Sequence, residues 1–409
     1  MTRPLHLIQL VSEQTMPNLL PILRLRPASV THLVTPRTAA RSRHLGDAAR
    51  AAGIHLRIDV VNLSAMPGIP ETCGAVNDAI SQARENGGSP VLNFTGGTKL
   101  MSIGAYAAAM QTKIPSFYVD TQDDCFVNGG ASPEMAVLLD NDWSFTPLRN
   151  QIRVDTLAIA NGVERVTGGK SWKDALPLAR HLFDHHADEA ATHEAFHGPA
   201  GIFPHGREPR TPADWVKALD RPIPLPPAVG KAATALGLLR DSGGGFLLPD
   251  APREELQHLA ANKVPNFHVR YFGAVAPLQA AATFLTGGWW EVIVAEAMAA
   301  AGLFRDIRWS CHVGQREGPD MEEDILAVDG VQLAYVSCKR GGAKAKLLPL
   351  LEEVRSRANR IGGTFTRRFL AVCEPPRGRT STNLQQRARE LGVHIVTRET
   401  VRSPSAFLA

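Results

Sequence analysis

Cysteine and long apolar runs are both scarce in this chain. Its five cysteines lie far apart among 409 residues and form neither a Cys-x-x-Cys metal pair nor a disulfide framework, which favours a reducing cytoplasm. The first residues lack the apolar core of a signal peptide, and no apolar run reaches the roughly 18 residues that a membrane span requires. We therefore expect a cytoplasmic protein without a membrane segment.

A strong excess of charge of either sign is also absent. The formal net charge is +4 and the pI is about 8.9, so charge alone neither requires nor excludes a nucleic-acid partner. Hydrophobic residues make up 44% of the chain and charged residues 21%, which is typical of soluble globular proteins. A chain of this length is expected to form two or three domains, each with its own core.

Short apolar runs alternate with helical stretches over residues 1–140. The helical stretches include Ala39–Ala52, Ala75–Asn86 and Leu100–Met110, and the predicted strands are Leu5–Val11, Val30–Thr35, His55–Asn62, Pro90–Phe94 and Ser116–Val119. This alternation predicts an α/β domain with a parallel, doubly wound sheet. Ligands of such sheets bind beyond the carboxyl ends of the strands, and polar segments follow four of these five strands. The first domain is therefore expected to carry a pocket.

The segment Asn93–Lys99, Asn-Phe-Thr-Gly-Gly-Thr-Lys, has the composition of a phosphate-binding loop. Its glycines allow backbone N–H groups to approach an anion, and a helix starting near Leu100 adds a favourable dipole. Thr95, Thr98 and Lys99 supply two hydroxyls and one cation. The spacing is neither that of a Walker A motif nor Gly-x-Gly-x-x-Gly. Loop chemistry alone leaves two interpretations open, a phosphate site or a glycine-rich turn with a solvated lysine.

Three segments after predicted strands, Ser12–Leu20, Thr35 and Asn93–Met101, resemble the CARF domains of CRISPR-associated effectors, in particular the group with a C-terminal PD-(D/E)XK nuclease. The resemblance covers about residues 1–130. It implies a Rossmann-like sensor that dimerises and binds a cyclic oligoadenylate, with cyclic tetra-adenylate as the expected ligand. Carried over by position, the ligand contacts would be Ser12, Gln14, Thr15, Asn18, Thr35, Asn93, Thr95, Gly96, Gly97, Thr98, Lys99 and Met101.

Residues 141–280 contain helical pieces and proline-rich connections and are expected to form a connector. Within them, residues 228–248 predict a helix, a triple-glycine turn and a short strand, which is compatible with a winged-helix-like unit. A group of histidines looks like a metal cluster but lacks the His-Glu-x-x-His pattern and lies in a polar stretch: His181, His185, His186, His193 and His197. We expect a solvated helix there.

Residues 281–409 predict one helix, three strands, a helix, a strand, a helix and a final strand. The predicted elements are the helices Trp289–Ala301, Ala345–Ile361 and Leu384–Leu391 and the strands Asp306–Cys311, Asp324–Val328, Val331–Ser337, Arg368–Val372 and Val393–Val396. The first six of these elements have the core order of restriction-endonuclease-like domains. The sequence thus predicts a C-terminal α/β domain of that class.

Metal-assisted phosphodiester cleavage requires oxygen ligands for Mg²⁺ or Mn²⁺ and a cation near the attacking water. Asp324, at the predicted start of a strand, is the candidate central ligand. A hairpin through Asp329-Gly330 would bring Lys339 to the same place, and Glu291 on the preceding helix would add a carboxylate. Cys338 would contribute its backbone carbonyl rather than its thiol. The predicted catalytic residues are Glu291, Asp324 and Lys339, and the predicted metal ligands are Glu291, Asp324 and Cys338.

The C-terminal resemblance to PD-(D/E)XK nucleases covers about residues 284–375 and departs from the family at one position. The family has acidic-x-Lys where this chain has Ser337-Cys338-Lys339. A hydroxyl is a weaker ligand for a hard cation than a carboxylate, so Glu291 or Glu322 would carry more of the metal binding.

The sequence is therefore interpreted as a cytoplasmic, homodimeric nuclease of type III CRISPR antiviral defence, allosterically activated by a cyclic oligoadenylate and dependent on Mn²⁺ or Mg²⁺. Its substrate would be single-stranded RNA, single-stranded DNA, nicked double-stranded DNA or several of these. The alternative is a ligand-responsive transcription regulator, with a DNA-binding winged helix in the connector and a nuclease-like domain inactivated at Ser337.

Overall fold

The N-terminal third of the chain is built on a six-stranded sheet with helices on both faces. A computed structural model describes residues 3–130, 132–203, 209, 211–250, 252–261, 267–314, 320–341, 347–375 and 379–407. The strands of this sheet are β1 Leu5–Leu10, β2 Ser29–Val34, β3 Arg57–Asn62, β4 Ser89–Asn93, β5 Ser116–Asp120 and β6 Cys125–Asn128. Between them lie α1 Met16–Leu25, α2 Ala39–Ala51, α3 Ile69–Glu85 and α4 Lys99–Thr112.

The strand order is β3-β2-β1-β4-β5-β6, and all neighbouring strands are parallel except β5 and β6, which are antiparallel. The predicted α/β class and parallel sheet are confirmed. The helix α1 forms although it contains two prolines, Pro17 and Pro21, which disfavour a helical sequence pattern. Pro17 lies in the first turn, where its missing N–H costs nothing, whereas Pro21 stands inside the helix.

The middle of the chain is mainly helical. Its elements are α5 Glu134–Leu138, α6 Val154–Ala160, β7 Arg165–Lys170, α7 Trp172–Asp184, α8 His186–His197, α9 Pro212–Leu219, α10 Pro227–Ala235, β8 Arg240–Asp241, β9 Phe246–Leu247, α11 Arg253–Ala261 and α12 Phe267–Thr283. The pair β8 and β9 forms a small antiparallel hairpin after α10, where the sequence predicts a helix, a glycine turn and a strand. A π-helical turn, Phe284–Gly288, leads into the C-terminal part.

The C-terminal part follows the predicted order of helices and strands. Its elements are α13 Trp289–Ala300, β10 Phe304–Gly314, β11 Met321–Asp329, β12 Gln332–Gly341, α14 Leu347–Gly362, β13 Arg367–Glu374, α15 Arg379–Leu391 and β14 Val393–Thr397. The sheet order is β14-β13-β12-β11-β10-β7, so a strand from the predicted connector completes one edge. The predicted helix start at Ala345 lies outside the described residues.

The strand β11 begins earlier than the sequence suggests. It starts at Met321, which pairs with Val313 of β10, so Asp324 lies inside the strand rather than at its start. The acidic run Glu322-Glu323-Asp324 is therefore strand, held by pairing with β10 despite its charge. The expected hairpin through Asp329-Gly330 is present, with Gly330 at φ 59° in the turn between β11 and β12.

One face of each sheet contributes to a shared hydrophobic core. Leu7 of the first sheet and Leu326 of the second belong to the same cluster of buried residues, together with Leu157 of α6. The helix α6 contacts α1 and α2 on one side and α14, β11 and β12 on the other. A second cluster covers the opposite face of the C-terminal sheet with α7 and α13. The sheets are thus joined through α6 by close-packed side chains.

No helix in the described parts of the chain is long and apolar enough to cross a membrane.

Candidate functional sites

A cavity of about 900 Å³ opens at the carboxyl end of the N-terminal sheet. Loops that follow β1, β2, β3, β4 and β5 form it, which is the usual ligand position in sheets of this type. Eight of the twelve predicted ligand contacts line it: Ser12, Gln14, Thr35, Thr95, Gly97, Thr98, Lys99 and Met101. The structure therefore brings together residues from three separate predicted segments.

The glycine-rich loop is shaped by two backbone requirements. A Cβ atom at Gly96 would lie 2.0 Å from the carbonyl oxygen of Leu10, so only glycine fits against the end of β1. Gly97 has φ +78°, the left-handed region that favours glycine. The loop then ends in a helix cap, because Thr98 Oγ1 accepts the backbone N–H of Met101 at 3.3 Å. Lys99 begins α4 beside the cavity, where the helix dipole favours an anion.

Two predicted contacts, Asn18 and Asn93, are completely buried and do not line the cavity. Asn18 Nδ2 donates to the carbonyl oxygen of Leu10 at 2.7 Å, and Asn93 Nδ2 donates to that of Pro17 at 2.8 Å. Asn93 Oδ1 also accepts the Thr95 hydroxyl at 2.7 Å. These amides hold the strand ends and the loops that form the cavity wall. Their role as direct ligand contacts stays a prediction.

Thr15 is 2% exposed and also lies outside the cavity lining. Its hydroxyl donates to Asn161 Oδ1 at 3.1 Å, at the end of α6. Arg41 of α2 donates to the Asn161 carbonyl oxygen at 2.9 Å. On the other side, a Cβ at Gly363, just after α14, would lie 2.7 Å from Asn161 Oδ1. Thr15, next to the lining residue Gln14, is thus hydrogen-bonded to Asn161, whose side chain lies close to the end of α14.

The cavity also includes residues that were not selected from the sequence. Arg37 lines the rim and pairs with Glu13 at 2.7 Å, and Thr121 follows β5. Both lie in polar loops that the sequence placed at this rim, so strand position could have identified them. Met66, after β3, and Tyr118 also line the cavity, but the sequence does not indicate them because ligand contacts are expected to be polar residues.

In the C-terminal sheet, Asp324 lies where β11 and β12 separate. Their paired register ends at Ile325 and Val336, although both strands continue beyond that pair. The Asp324 carboxylate occupies the gap, because its Oδ2 accepts the backbone N–H of Cys338 at 2.6 Å. We call this place the fork; it comprises Asp324 on β11 and Ser337, Cys338 and Lys339 on β12.

Lys339 and Ser337 both point to the Asp324 carboxylate. Lys339 Nζ lies 3.6 Å from Asp324 Oδ2, and the Ser337 hydroxyl donates to the same oxygen at 3.2 Å. The expected proximity of Asp324 and Lys339 is therefore present. Burial, with the Asp324 and Glu291 carboxylates, raises the pKa of the Cys338 thiol well above its ordinary value. This thiol stays protonated, which is consistent with a metal contact through the backbone carbonyl.

Glu291 approaches the fork from the first turn of α13. Its Oε2 accepts a hydrogen bond from Trp309 Nε1 at 2.7 Å. Burial, and then repulsion by Asp324, raises the pKa of Glu291 to about 8. Glu322 raises this pKa further, whereas the Trp309 hydrogen bond and the Lys339 charge lower it. Glu291, Asp324 and Lys339 therefore form one electrostatic group.

Glu323 lies on the other face of the same strand. Burial raises its pKa to about 7, while Arg357 and the Tyr335 hydrogen bond lower it. Its neighbour Glu322 is exposed and accepts the Ser310 hydroxyl at 2.5 Å. Of these two, Glu322 is the one whose charge acts on Glu291.

The donor set at the fork fits a hard divalent cation. Two carboxylates, Glu291 and Asp324, are close enough to repel, and a cation between them would relieve that repulsion. Across the described ranges, no group of three or more His, Cys, Asp or Glu side chains is arranged to hold a metal. The candidate ligands are thus two carboxylates and the Cys338 carbonyl.

The histidines of the connector form no such group either. His181 Nε2 and Asp188 Oδ2 are 2.6 Å apart, and the ring of His185 stacks on that of His181 with centroids 4.3 Å apart.

Trp289 and Trp290 are fully buried, and Trp290 Nε1 donates to the Ala371 carbonyl at 3.1 Å. They pack α13 against the sheet.

Comparison with known proteins gives one family match for the N-terminal domain and several solved structures of similar fold. Residues 6–133 match the family model of the Card1 CARF domain. No curated protein sequence matches the chain. Can2 from Sulfobacillus thermosulfidooxidans, solved in complex with cyclic tetra-adenylate, aligns with a TM-score of 0.64 at 15% identity, covering 98% of this chain and 97% of Can2.

Two further structures share the fold. Protein VC1899 from Vibrio cholerae aligns with a TM-score of 0.66 at 15% identity, covering 98% of this chain and 96% of that protein. A type III CRISPR defence DNA nuclease activated by cyclic oligoadenylate aligns with a TM-score of 0.52 at 17% identity, covering 93% of this chain but 47% of the nuclease. The N-terminal third is therefore similar to the Card1 CARF domain, and the chain as a whole shares its fold with Can2 and VC1899 and with about half of the DNA nuclease.

Proposed function

We propose that this protein is a metal-dependent nuclease of type III CRISPR antiviral defence that a cyclic oligoadenylate activates. The convergence of Glu291, Asp324 and Lys339 at the fork carries the nuclease assignment. The cavity beside Lys99 supports the sensor assignment, together with the match to the Card1 CARF domain. Can2 was solved with cyclic tetra-adenylate, and we propose the same ligand here.

Glu291 and the fork residues would each have a separate role in a PD-(D/E)XK-type site. Bound Mg²⁺ or Mn²⁺ would polarise the scissile phosphate and activate a water molecule. Glu291 and Asp324 would hold the cation, and the Cys338 carbonyl would complete the protein ligands. Lys339 would stabilise negative charge on the phosphate or orient the water. Ser337, where the family has a carboxylate, hydrogen-bonds Asp324 and leaves the Glu291 carboxylate as the second charged ligand.

The assay that tests this proposal uses the full chain with Mn²⁺ or with EDTA, each with and without cyclic tetra-adenylate. The substrates are single-stranded RNA, single-stranded DNA and supercoiled plasmid, which separates RNA cutting, DNA cutting and nicking. Cleavage that requires both the metal and the ligand supports the proposal. No cleavage of any substrate under any of these conditions contradicts it.

The ligand site can be tested at Lys99, which lines the cavity at the start of α4. We expect Lys99→Met to weaken cyclic tetra-adenylate binding about 10- to 100-fold, because a charge-assisted hydrogen bond contributes about 1.5–3 kcal/mol. Isothermal titration calorimetry measures the affinity. The matched control is Lys113→Met, since Lys113 caps the other end of the same helix and does not line the cavity. Equal affinity for the wild type and both variants would refute the contact at Lys99, and a wild type that binds no cyclic oligoadenylate would refute the sensor assignment.

An exposed apolar stripe beside the cavity supports a homodimer. Leu100, Ile103, Tyr106 and Met110 are three or four residues apart on α4 and are 52%, 52%, 38% and 44% exposed. Val127, 45% exposed, pairs with Tyr118 of β5, and the ring of Phe94 contacts both Tyr118 and Tyr106 of the stripe. Exposed apolar side chains that form one stripe are characteristic of protein interfaces. We propose that a second copy covers it, which would place two cavities side by side for a ring-shaped ligand.

We expect Ile103→Glu to convert a dimer into a monomer and to abolish ligand activation of cleavage. The charge would be buried at the centre of the proposed interface, where it has no partner. Multi-angle light scattering reads the mass, and the cleavage assay reads activation. In the wild type, a coupling free energy of about 1–3 kcal/mol would give a ligand activation of about 5- to 150-fold. Leu348→Glu, at a 47% exposed position on α14, should stay dimeric. A wild-type monomer that cuts equally with and without ligand contradicts both expectations.

Three arginines of the connector give the transcription-regulator alternative little support, because they are paired with carboxylates: Arg240 with Asp250, Arg253 with Asp220, and Arg270 with Glu255. A DNA-reading surface requires basic side chains that are available to phosphates. The nuclease proposal therefore has the better structural basis.

A further inference from the structure

Glu323, the residue directly before Asp324, is a completely buried carboxylate on the face of the sheet that packs against α14. Tyr335 Oη donates to its Oε2 at 3.0 Å, and Arg357 of α14 donates to the same oxygen at 3.2 Å. The Glu323 side chain is 0% exposed and that of Arg357 is 28% exposed. Among the described residues, Glu323 Oε1 has no hydrogen-bond partner. A buried charge with one oxygen unsatisfied is costly to keep.

Stability alone does not explain this ion pair. Replacing a buried ion pair by well-packed apolar residues is often neutral or stabilising, because removing two charges from water costs as much as their attraction returns. Apolar residues are available close by, since Tyr335, the hydrogen-bond partner of Glu323, belongs to the apolar cluster that includes Leu326 and Leu351. We therefore expect the Glu323 carboxylate to have a role in positioning the residues around it.

The fork supplies that role. Before Ile325, β11 no longer pairs with β12, so the backbone of Glu323 and Asp324 is held by β10 on one side, where Glu323 pairs with Cys311. On the side of the fork, the Asp324 carboxylate accepts the backbone N–H of Cys338, and the Glu323 side chain adds hydrogen bonds to Tyr335 of β12 and to Arg357 of α14. Because neighbouring strand residues point to opposite faces, fixing Glu323 on the α14 face directs Asp324 towards α13 and Glu291.

We propose that Glu323 positions Asp324 for metal binding by anchoring β11 to Tyr335 and Arg357, so that α14 determines the metal affinity of the fork. This inference rests on the proposed metal site. It adds a reason why α14, which contacts α6 and so the sensor half, is connected to the strand that carries the central ligand. Glu323 does not touch the metal in this proposal and acts through the backbone of its neighbour.

The test measures Mn²⁺ binding to the full chain by electron paramagnetic resonance, without ligand or nucleic acid. Arg357→Met removes the charge, and Tyr335→Phe removes only the hydroxyl and keeps the buried ring. We expect both to weaken Mn²⁺ binding, Arg357→Met by about 10- to 100-fold, the range seen for partners that orient metal ligands. Arg357→Lys, which keeps a cation there, should restore part of the affinity. Circular dichroism checks that each variant is folded at the temperature of the titration.

Two controls separate this proposal from the proposed function. Arg355→Met makes the same change at an exposed position of the same helix and should bind Mn²⁺ like the wild type. Asp324→Asn should lose the binding. If Asp324→Asn loses it but Arg357→Met and Tyr335→Phe bind as the wild type does, Glu323 is not a positioning residue and the metal site stands. If Asp324→Asn binds Mn²⁺ like the wild type, the metal site itself is wrong, and both proposals fail.

Discussion

Replacing Asp324 by asparagine is expected to abolish nucleic-acid cleavage, with a loss of at least about 100-fold, and to leave ligand affinity in the N-terminal cavity unchanged. The amide keeps an oxygen that can accept the backbone N–H of Cys338, so the fork retains its shape. It removes the negative charge that a hard divalent cation requires. The defect should therefore lie in metal binding and not in the fold.

The control for this variant is Asp320→Asn, four residues earlier. Asp320 lies in a Pro-Asp sequence that mimics the family motif, but it is exposed and pairs with Arg165 at 2.9 Å. Loss of an exposed ion pair costs about 0–1 kcal/mol, so this variant should cut like the wild type. Rates are measured on plasmid and single strands with Mn²⁺ and cyclic tetra-adenylate, and affinity by calorimetry. Wild-type cleavage by Asp324→Asn would place the active site elsewhere in the chain.

Much of the fold could be predicted because the patterns that define it are local. The short buried strands of the first 140 residues, and the order of elements after Trp289, can be recognised from runs of apolar residues and the spacing between them. Other elements are difficult to predict because their local sequence disfavours the structure that they adopt in the folded protein. The helix α1 contains Pro21, and β7 is an exposed edge strand with two consecutive glycines, Gly168 and Gly169, whose strand character depends on pairing with β10.

For the candidate sites too, some features can be predicted from the sequence and others depend on the folded structure. The sequence could select Asp324 and Lys339 by residue type and order, and it could place the Asn93–Lys99 loop at the carboxyl end of a strand. It could not show that Asn93 and Thr15 point away from the cavity, because a polar side chain next to a pocket looks the same whether it contacts ligand or backbone. The fork also cannot be recognised from a local sequence pattern. It forms where the Asp324 side chain, and not the β11 backbone, accepts the hydrogen bond from β12.

Glu291 offers a test in which stability and activity change in opposite directions. We expect Glu291→Gln to abolish cleavage and, at pH 7 without metal, to stabilise the protein by about 1–3 kcal/mol. The physical reason is the buried carboxyl beside Asp324, whose pKa is raised from 4.5 to about 8. The folded protein holds this proton while the unfolded chain releases it. The amide of glutamine has the shape of the protonated acid and carries no such cost.

The pH dependence follows from the same shift. Below about pH 4.5 the glutamate is protonated in both states, so the wild type and the variant should differ little in stability. As the pH rises from there to about 8, the unfolded chain loses the proton and the folded protein keeps it, so the wild type is progressively destabilised. Above pH 8 the difference should stay constant. The stabilisation by Glu291→Gln should therefore grow between pH 4.5 and 8, and urea denaturation at pH 4.5, 6 and 7 in EDTA measures it.

Mn²⁺ should reverse the order of stability. A cation that binds the folded wild type through Glu291 and Asp324 stabilises it by mass action, whereas the variant lacks one charged ligand and gains less. Glu296→Gln is the matched control, since Glu296 lies on the same helix and pairs with Arg180 on the surface. It should show neither the pH-dependent gain nor the loss of cleavage. Two results would contradict this account of Glu291. One is a Glu291→Gln variant that is no more stable than the wild type at pH 7, and the other is a variant that Mn²⁺ stabilises as much as it stabilises the wild type.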